Sequence, residues 1–295
     1  MKNECEINGK SEEIQASDFS VQPTVATNKS NLAIPKQVHF IWLGNLPIPS
    51  ARGAVIKAWI DRLKPLGFEF YFWVDKEGTP ASVLSAQKKY LLSSVSGDLH
   101  IVDVETLKNI AQKNRKLSDY WEIFRYENDR LRANYGAASD LLRYLILYLY
   151  GGIYFDSDVK PPVTKEDIEK SVYRDESFWR DTDHYCVYRQ GSASDILASS
   201  QGNPGLGIFL DIVKQKYDTT QLDSKVALAY LTELRWFYVG ATLERTGSQM
   251  LNRFYAKMLN NDSRATQLLD IDELRLREKL THAEASWIGM VDPIV

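Results

Sequence analysis

An α/β fold, with a doubly wound, mostly parallel sheet and helices on both faces, is what the sequence predicts from three observations. Near-continuous apolar runs such as "VHFIWLG" (38–44) and "FEFYFWVD" (68–75) read as strands buried on both faces. Between them, "ARGAVIKAWIDRLKPLG" sets Val55, Ile56, Trp59, Ile60 and Leu63 at three-and-four spacing, the stripe of an amphipathic helix packed on a sheet. The alternation of strand and helix then repeats, as a parallel sheet requires of its crossovers. A chain of 295 residues buries one sizeable core, with small appended helical elements at most.

Taken in order, residues 1–32 are polar and without a sustained period, and are expected to form a flexible leader, with one domain over 33–295. After the first β-α-β unit come a helix around 81–94 and a third strand around 100–104. Ala138, Leu141, Leu142, Leu145 and Leu149 then predict an amphipathic helix that Asn134 caps and that Gly151 and Gly152 stop, since glycine accepts the left-handed geometry just past a helix end. "IYFDSDV" (153–159) follows as a short strand closing at Pro161 and Pro162. Beyond it, "HYCVYR" and "DILAS" read as further strands. Helices are expected over 206–217, 224–238 and 248–259.

Alternation along "IYFDSDV" puts Ile153, Phe155 and Val159 on one side and Tyr154, Asp156 and Asp158 on the other. Carboxylates two residues apart on a strand stand roughly 6.6 Å from each other and repel at a partly buried strand end unless a cation is present. A hard divalent ion, manganese or magnesium, suits their oxygens and keeps coordination positions for a diphosphate. Read alone, a D-x-D is more often two solvated carboxylates at a strand's end, since a three-residue pattern is weak by itself. In a doubly wound sheet ligands bind beyond the carboxyl ends of the strands, and "WLGN", Asp75 and "DSD" all fall there.

Composition narrows the partners. A net charge of −3 and a pI near 5.9 argue against nucleic acid as a partner. The longest apolar run, around 145–153, falls short of the roughly 20 residues of a membrane span. The amino terminus is acidic where a secretory signal is apolar. Cys5 and Cys186 make no disulfide framework, which fits a reducing compartment. Two cysteines and four histidines show no zinc spacing, and neither a G-x-S-x-G elbow nor a P-loop is present.

Several constellations remain, each with a plain structural reading beside it. Asp140 and Arg143, three apart on the central helix, are either a surface ion pair or a pair aimed at a pyrophosphate or sugar. Trp42, at the exit of the first strand, is a core residue or a stacking surface for a base, and His39 is a satisfied core histidine. "RTGSQML" (245–251) offers a helix amino terminus to oxygens or a simple cap, and "QGNPGLG" (201–207) reads as a loop on the acceptor side. Near the carboxyl end, Glu284, Ser286 and Trp287 in "EASWIG" form either a closing segment or a tail with a docked indole.

In this order, "IPKQVHFIWLG", "AASDLLRYLILYLYGGIYFDSDV" and "TGSQML" resemble the sugar-binding D-x-D glycosyltransferases, the group of the clostridial glucosylating toxins and related bacterial effectors. The resemblance runs from about Pro35 onward. It implies a GT-A fold, a UDP-sugar donor such as UDP-glucose or UDP-GlcNAc, and Mn2+ or Mg2+ at the diphosphate. It implies that Ile41, Trp42 and Leu43 contact the donor, Trp42 by stacking on uracil, that Asp140 and Arg143 hold the donor sugar, and that Tyr154 is a further contact. Asp156 corresponds to the carboxylate serving ribose and metal, and Asp158 to the direct metal ligand. Ser286 and Trp287 correspond to the family's closing pair, with Glu284 and Ser286 reaching the metal; Asp140, Arg143, Asp156, Asp158 and Trp287 are then the catalytic set. Retention of anomeric configuration is implied as well. The toxins' translocation and repeat regions are missing, and the His-Glu-Asn set of arginine-modifying effectors is not found, since His184 lacks matching partners. The expected acceptor is a host protein, a small GTPase among the candidates, with the chain secreted without a conventional signal peptide into the host cytosol. The alternatives are a bacterial cytoplasmic enzyme building surface polysaccharide and an inactive binding module.

Overall fold

The computed structural model describes residues 34–129, 134–161, 187–189 and 195–219, together with Pro23. Six strands form one sheet: β1 (Gln37–Trp42), β2 (Glu69–Val74), β3 (Leu99–Asp103), β4 (Gly152–Phe155), β5 (Val187–Arg189) and β6 (Ile196–Ser199), in the order β3-β2-β1-β4-β6-β5. The first four pair in parallel, whereas β6 runs antiparallel to both β4 and β5. The helices are α1 (Ser50–Leu63), α2 (Ala81–Tyr90), α3 (Glu105–Ala111), α4 (Arg115–Asn128), α5 (Tyr135–Tyr150) and α6 (Pro204–Thr219).

Two hydrophobic cores sandwich the sheet, and the pleat assigns residues to them. Val38, Phe40 and Trp42 of β1, with Phe70 and Phe72 of β2, pack under Ile56, Trp59 and Ile60 of α1. Ile41 and Leu43, with Tyr71 and Trp73, face Trp121 and Phe124 of α4 and Leu141 and Leu145 of α5. Strands buried on both sides explain the unbroken apolar runs in the sequence. Each fully buried aliphatic or aromatic side chain contributes about 1.5–3 kcal/mol.

His39 lies inside β1 and is fully buried. The Trp73 indole N–H donates to its Nδ1 at 3.3 Å, leaving Nε2, at 3.0 Å, to donate to the Gly151 carbonyl. Burial drives its pKa down to about 4, against the Gly151 contact that raises it, so the ring is neutral. The core reading of this histidine holds.

Three differences from the sequence reading concern the fold. Residues 105–111 and 115–128, to which the sequence reading gives no element, form α3 and α4, and Leu117, Tyr120, Trp121 and Phe124 of α4 cover the sheet. The helix expected over 81–94 is α-helical to Tyr90 and then widens into a π turn over Leu91–Val95. The strand read into "IYFDSDV" ends at Phe155. The leader over 1–32 and the helices expected over 224–238 and 248–259 lie outside the described residues, Pro23 apart.

Candidate active site

The chain leaves β1 toward β2 on one side and returns through α5 to β4 on the other, so the sheet's switch point lies between β1 and β4. A crevice opens beyond carboxyl ends at such a point. The α5–β4 corner delivers residues to it. Asn134 accepts the Ala137 N–H at 3.2 Å and caps α5, as its position predicts. At the other end Gly151 (φ +70°) and Gly152 (φ +91°) reverse the chain directly into β4. A Cβ on Gly152 would stand 2.4 Å from the Gln37 carbonyl oxygen, so glycine is required by close approach as well as by φ. The reversal brings the amino-terminal half of α5 beside the carboxyl end of β4.

There Asp140, Arg143, Tyr154 and Asp156 join in one cluster. Arg143 Nη2 lies 2.9 Å from Asp140 Oδ1 and 3.3 Å from Asp156 Oδ1, and the guanidinium sits 4.5 Å over the Tyr154 ring. The Tyr154 hydroxyl donates to the same Asp156 oxygen. Asp140 and Arg143 are buried, so the surface-pair reading fails. Burial acts to lower the Arg143 pKa, but the fields of Asp156, Tyr154 and Asp140 hold it above its ordinary value and keep the group charged. Burial likewise pushes the Tyr154 phenol well up, which keeps it a donor.

The aspartates of the D-x-D are not side by side on a strand. The ladder with β6 stops at Phe155, opposite Ile196; the Asp156 N–H then donates to the Asp195 carbonyl at 2.8 Å, and the Val159 N–H closes a turn onto the Asp156 carbonyl at 3.1 Å. The Trp59 indole N–H donates to the Val159 carbonyl at 2.7 Å, and its ring stacks on Phe155 at 4.0 Å. The turn is thus anchored from α1 and from the start of β6. Strand alternation does not place Asp158, because the partner strand that would extend the ladder begins only at Ile196.

The expected repulsion between the two carboxylates also takes another form. Asp156 meets Arg143, and Asp158 Oδ2 lies 2.7 Å from Arg52 Nη1, in the first turn of α1. Each acid carries a guanidinium. Their side chains keep 31% and 17% of their exposure, and paired oxygen donors at an accessible turn suit a hard divalent ion completed by substrate oxygens. Among the described residues, no three His, Cys, Asp or Glu gather for a metal. Glu284, Ser286 and Trp287, expected to complete the site, lie outside those residues, as do 245–251, His184 and Cys186.

The remaining predicted positions can be placed. Trp42 ends β1, is 8% exposed, and donates its indole N–H to the Leu46 carbonyl at 2.9 Å; Ile41 and Leu43 are buried on the opposite face. Asp75 also sits at a strand end, yet it is bound by Arg125 at 3.3 Å and by the Asn128 amide. The loop over 201–207 lies at the wrong end for an acceptor. Antiparallel β6 carries it to the start of β4, where the Gly202 N–H donates to the Tyr148 carbonyl at 2.7 Å and Asn203 caps α6 through Gly205 and Leu206. Sequence reasoning missed Arg52 and Asp195. No motif marks Arg52, and Asp195 acts on the turn through its backbone carbonyl, which has no signature in the sequence.

Residues 75–179 match the family described as "Glycosyltransferase sugar-binding region containing DXD motif". The matched residues hold α5, β4 and the D-x-D turn. The resemblance seen in "AASDLLRYLILYLYGGIYFDSDV" is thereby shown, since the segment lies within the matched residues. In Legionella pneumophila, "Subversion of eukaryotic traffic protein A" is 30% identical over 240 residues, 78% of this chain and 33% of the relative, so the chain spans about a third of that protein. "PaToxG Glycosyltransferase" superposes with a TM-score of 0.56 at 18% identity, over 80% of this chain and 73% of that one. The UDP-bound glycosyltransferase domain from the YGT toxin gives 0.54 at 15% identity, over 78% of each. The fold is that of GT-A glycosyltransferase domains, as the sequence predicts.

Proposed function

We propose that the protein is a metal-dependent, retaining glycosyltransferase that moves a hexose or N-acetylhexosamine, glucose or GlcNAc, from its UDP carrier to a side chain of a host protein. The observation that carries this reading is Arg143 fixed by both Asp140 and Asp156 at the sheet's switch point. A guanidinium held by two carboxylates and an aromatic ring is oriented before substrate arrives, and such fixed charge is what a departing diphosphate requires. We assign Asp140, beside it, to sugar hydroxyls, and Trp42, at the exit of β1, to the uracil, to which it must present a ring face.

Asp156 and Asp158, with Glu284 and Ser286, would hold Mn2+ or Mg2+, which when bound supplies Lewis-acid neutralisation of the diphosphate. Trp287 is assigned to closing over the leaving group. The protein's share of catalysis is orientation and charge: Arg143 stays cationic in its buried pocket, and Tyr154 keeps the proton with which it orients Asp156. No residue is assigned as a base. The host acceptor is supported by the name of the Legionella relative, which describes subversion of eukaryotic traffic, and on the same ground we assign a site of action in the host cytosol. Among the described residues no helix is long and apolar enough to cross a membrane.

The test is a panel of UDP-sugars incubated with and without Mn2+, read as released UDP. Turnover of UDP-glucose or UDP-GlcNAc dependent on the metal is expected. Silence across the panel would remove the enzymatic reading.

A further inference from the structure

Arg52 stands on α1, not on the α5–β4 corner that carries Arg143, and its guanidinium reaches an oxygen of Asp158 at 2.7 Å and feels the charge of Asp156. Two features separate this pair from the Arg143 pair. Arg143 is locked in the core at 6% side-chain exposure, whereas Arg52 and Asp158 each keep 17% and so border solvent at the crevice. Arg143 also shares its element with Asp140, while Arg52 reaches the turn from a different helix, one turn in from Pro49 at its amino end.

A divalent ion on Asp158 and a guanidinium on the same carboxylate repel each other, because both occupy the acid's lone-pair positions as cations. A diphosphate relieves that conflict, since it offers bidentate anionic oxygens to an arginine. We propose that Arg52 is a place-holding cation for the metal position: in the unloaded protein it neutralises Asp158, and on loading it transfers to the donor's diphosphate, so that the ion and the nucleotide bind as a coupled pair. This rests on the metal and UDP-sugar reading of Asp156 and Asp158. By linkage, whatever factor UDP adds to ion affinity, the ion adds to UDP affinity.

The experiment is a Mn2+ titration of the full chain by calorimetry or electron paramagnetic resonance, with and without UDP, for the wild type and Arg52→Gln. The variant is expected to bind Mn2+ alone about three- to fivefold more tightly, the scale of a partly exposed ion pair. It is also expected to bind UDP more weakly at saturating Mn2+, with the coupling between the two reduced. Unchanged or weaker Mn2+ binding by the variant overturns the proposal, as does UDP binding equal to the wild type. A wild type that takes up no Mn2+ with or without UDP sinks the metal reading and this inference together, which sets the two failures apart. Should Arg52→Gln fail to fold, the Nε–H resonance of Arg52 in the wild type, assigned by its loss in Arg52→Lys, decides the matter. It is expected to move when Mg2+ and UDP are added together and to hold its position with Mg2+ withheld; a resonance that stays put under both conditions refutes the transfer.

Discussion

The carboxyl ends of β2 and β4 both carry aspartates, and the surroundings make different things of them. Asp75, past β2, is 2% exposed and enclosed by Arg125, by the amide of Asn128, and by the turn in which the Thr79 N–H donates to the Asp75 carbonyl at 3.0 Å. Its charge is spent on structure. Asp156 and Asp158, past β4, meet arginines too, but they remain partly accessible and sit where the strand order reverses. Strand-end position alone therefore does not leave a carboxylate available to a ligand. What distinguishes the two is whether the partners close over the carboxylate or leave it open to a ligand.

The sharpest way to break this comparison is Asp156→Asn combined with Asp158→Asn. Released UDP should fall by about 100-fold or more, as for loss of a main charge-stabilising group, with a melting curve close to the wild type. Turnover that survives would put both strand ends in the same structural class. Next in size is acid. His39 is buried neutral with its pKa lowered from 6.5 to about 4, so the unfolded chain takes up the proton first. The stabilisation is complete above pH 6.5 and is lost as pH falls toward 4, amounting to about 3 kcal/mol over that window. Urea midpoints across it, for the wild type against His39→Gln, should show the wild type losing more. An equal slope would mean the ring titrates freely.

Asp75→Asn should cost about 2 kcal/mol, the scale of hydrogen bonds to a charged group, read as a lower urea midpoint. Undiminished stability with lost UDP release would instead move Asp75 into the site. Smallest is Asn134→Ala, which removes the α5 cap and should cost about 1 kcal/mol. A protein as stable as the wild type would show that tertiary packing alone sets where α5 begins, and with it where Asp140 and Arg143 stand.

Much of this was legible because it is local. The runs of β1 and β2, the stripe of α1, and α5 with Asn134 before it and two glycines after it follow from periodicity and backbone freedom, properties of neighbouring residues. Asp140 and Arg143 met Tyr154 and Asp156 because a helix stopped by Gly151 and Gly152 must fold back along the strand that follows. The errors were long-range. The end of β4 depended on where β6 begins, roughly forty residues later, and the direction of β6 decided that the 201–207 loop leaves at the far end from the crevice. Residue spacing carries no record of a partner strand's direction.

Sequence by itself determined the layered α/β architecture and the three residues that gather around Arg143, since each depends on the period of one segment and the corner joining it to the next. Tertiary structure alone decided that Asp156 and Asp158 lie on a turn, that Asp75 is enclosed, and that Arg52 reaches Asp158 across 106 positions of chain. An ion pair between such distant residues has no local signature. It exists because the packing of α1 on β1 and β4 brings the start of that helix to the tip of the strand.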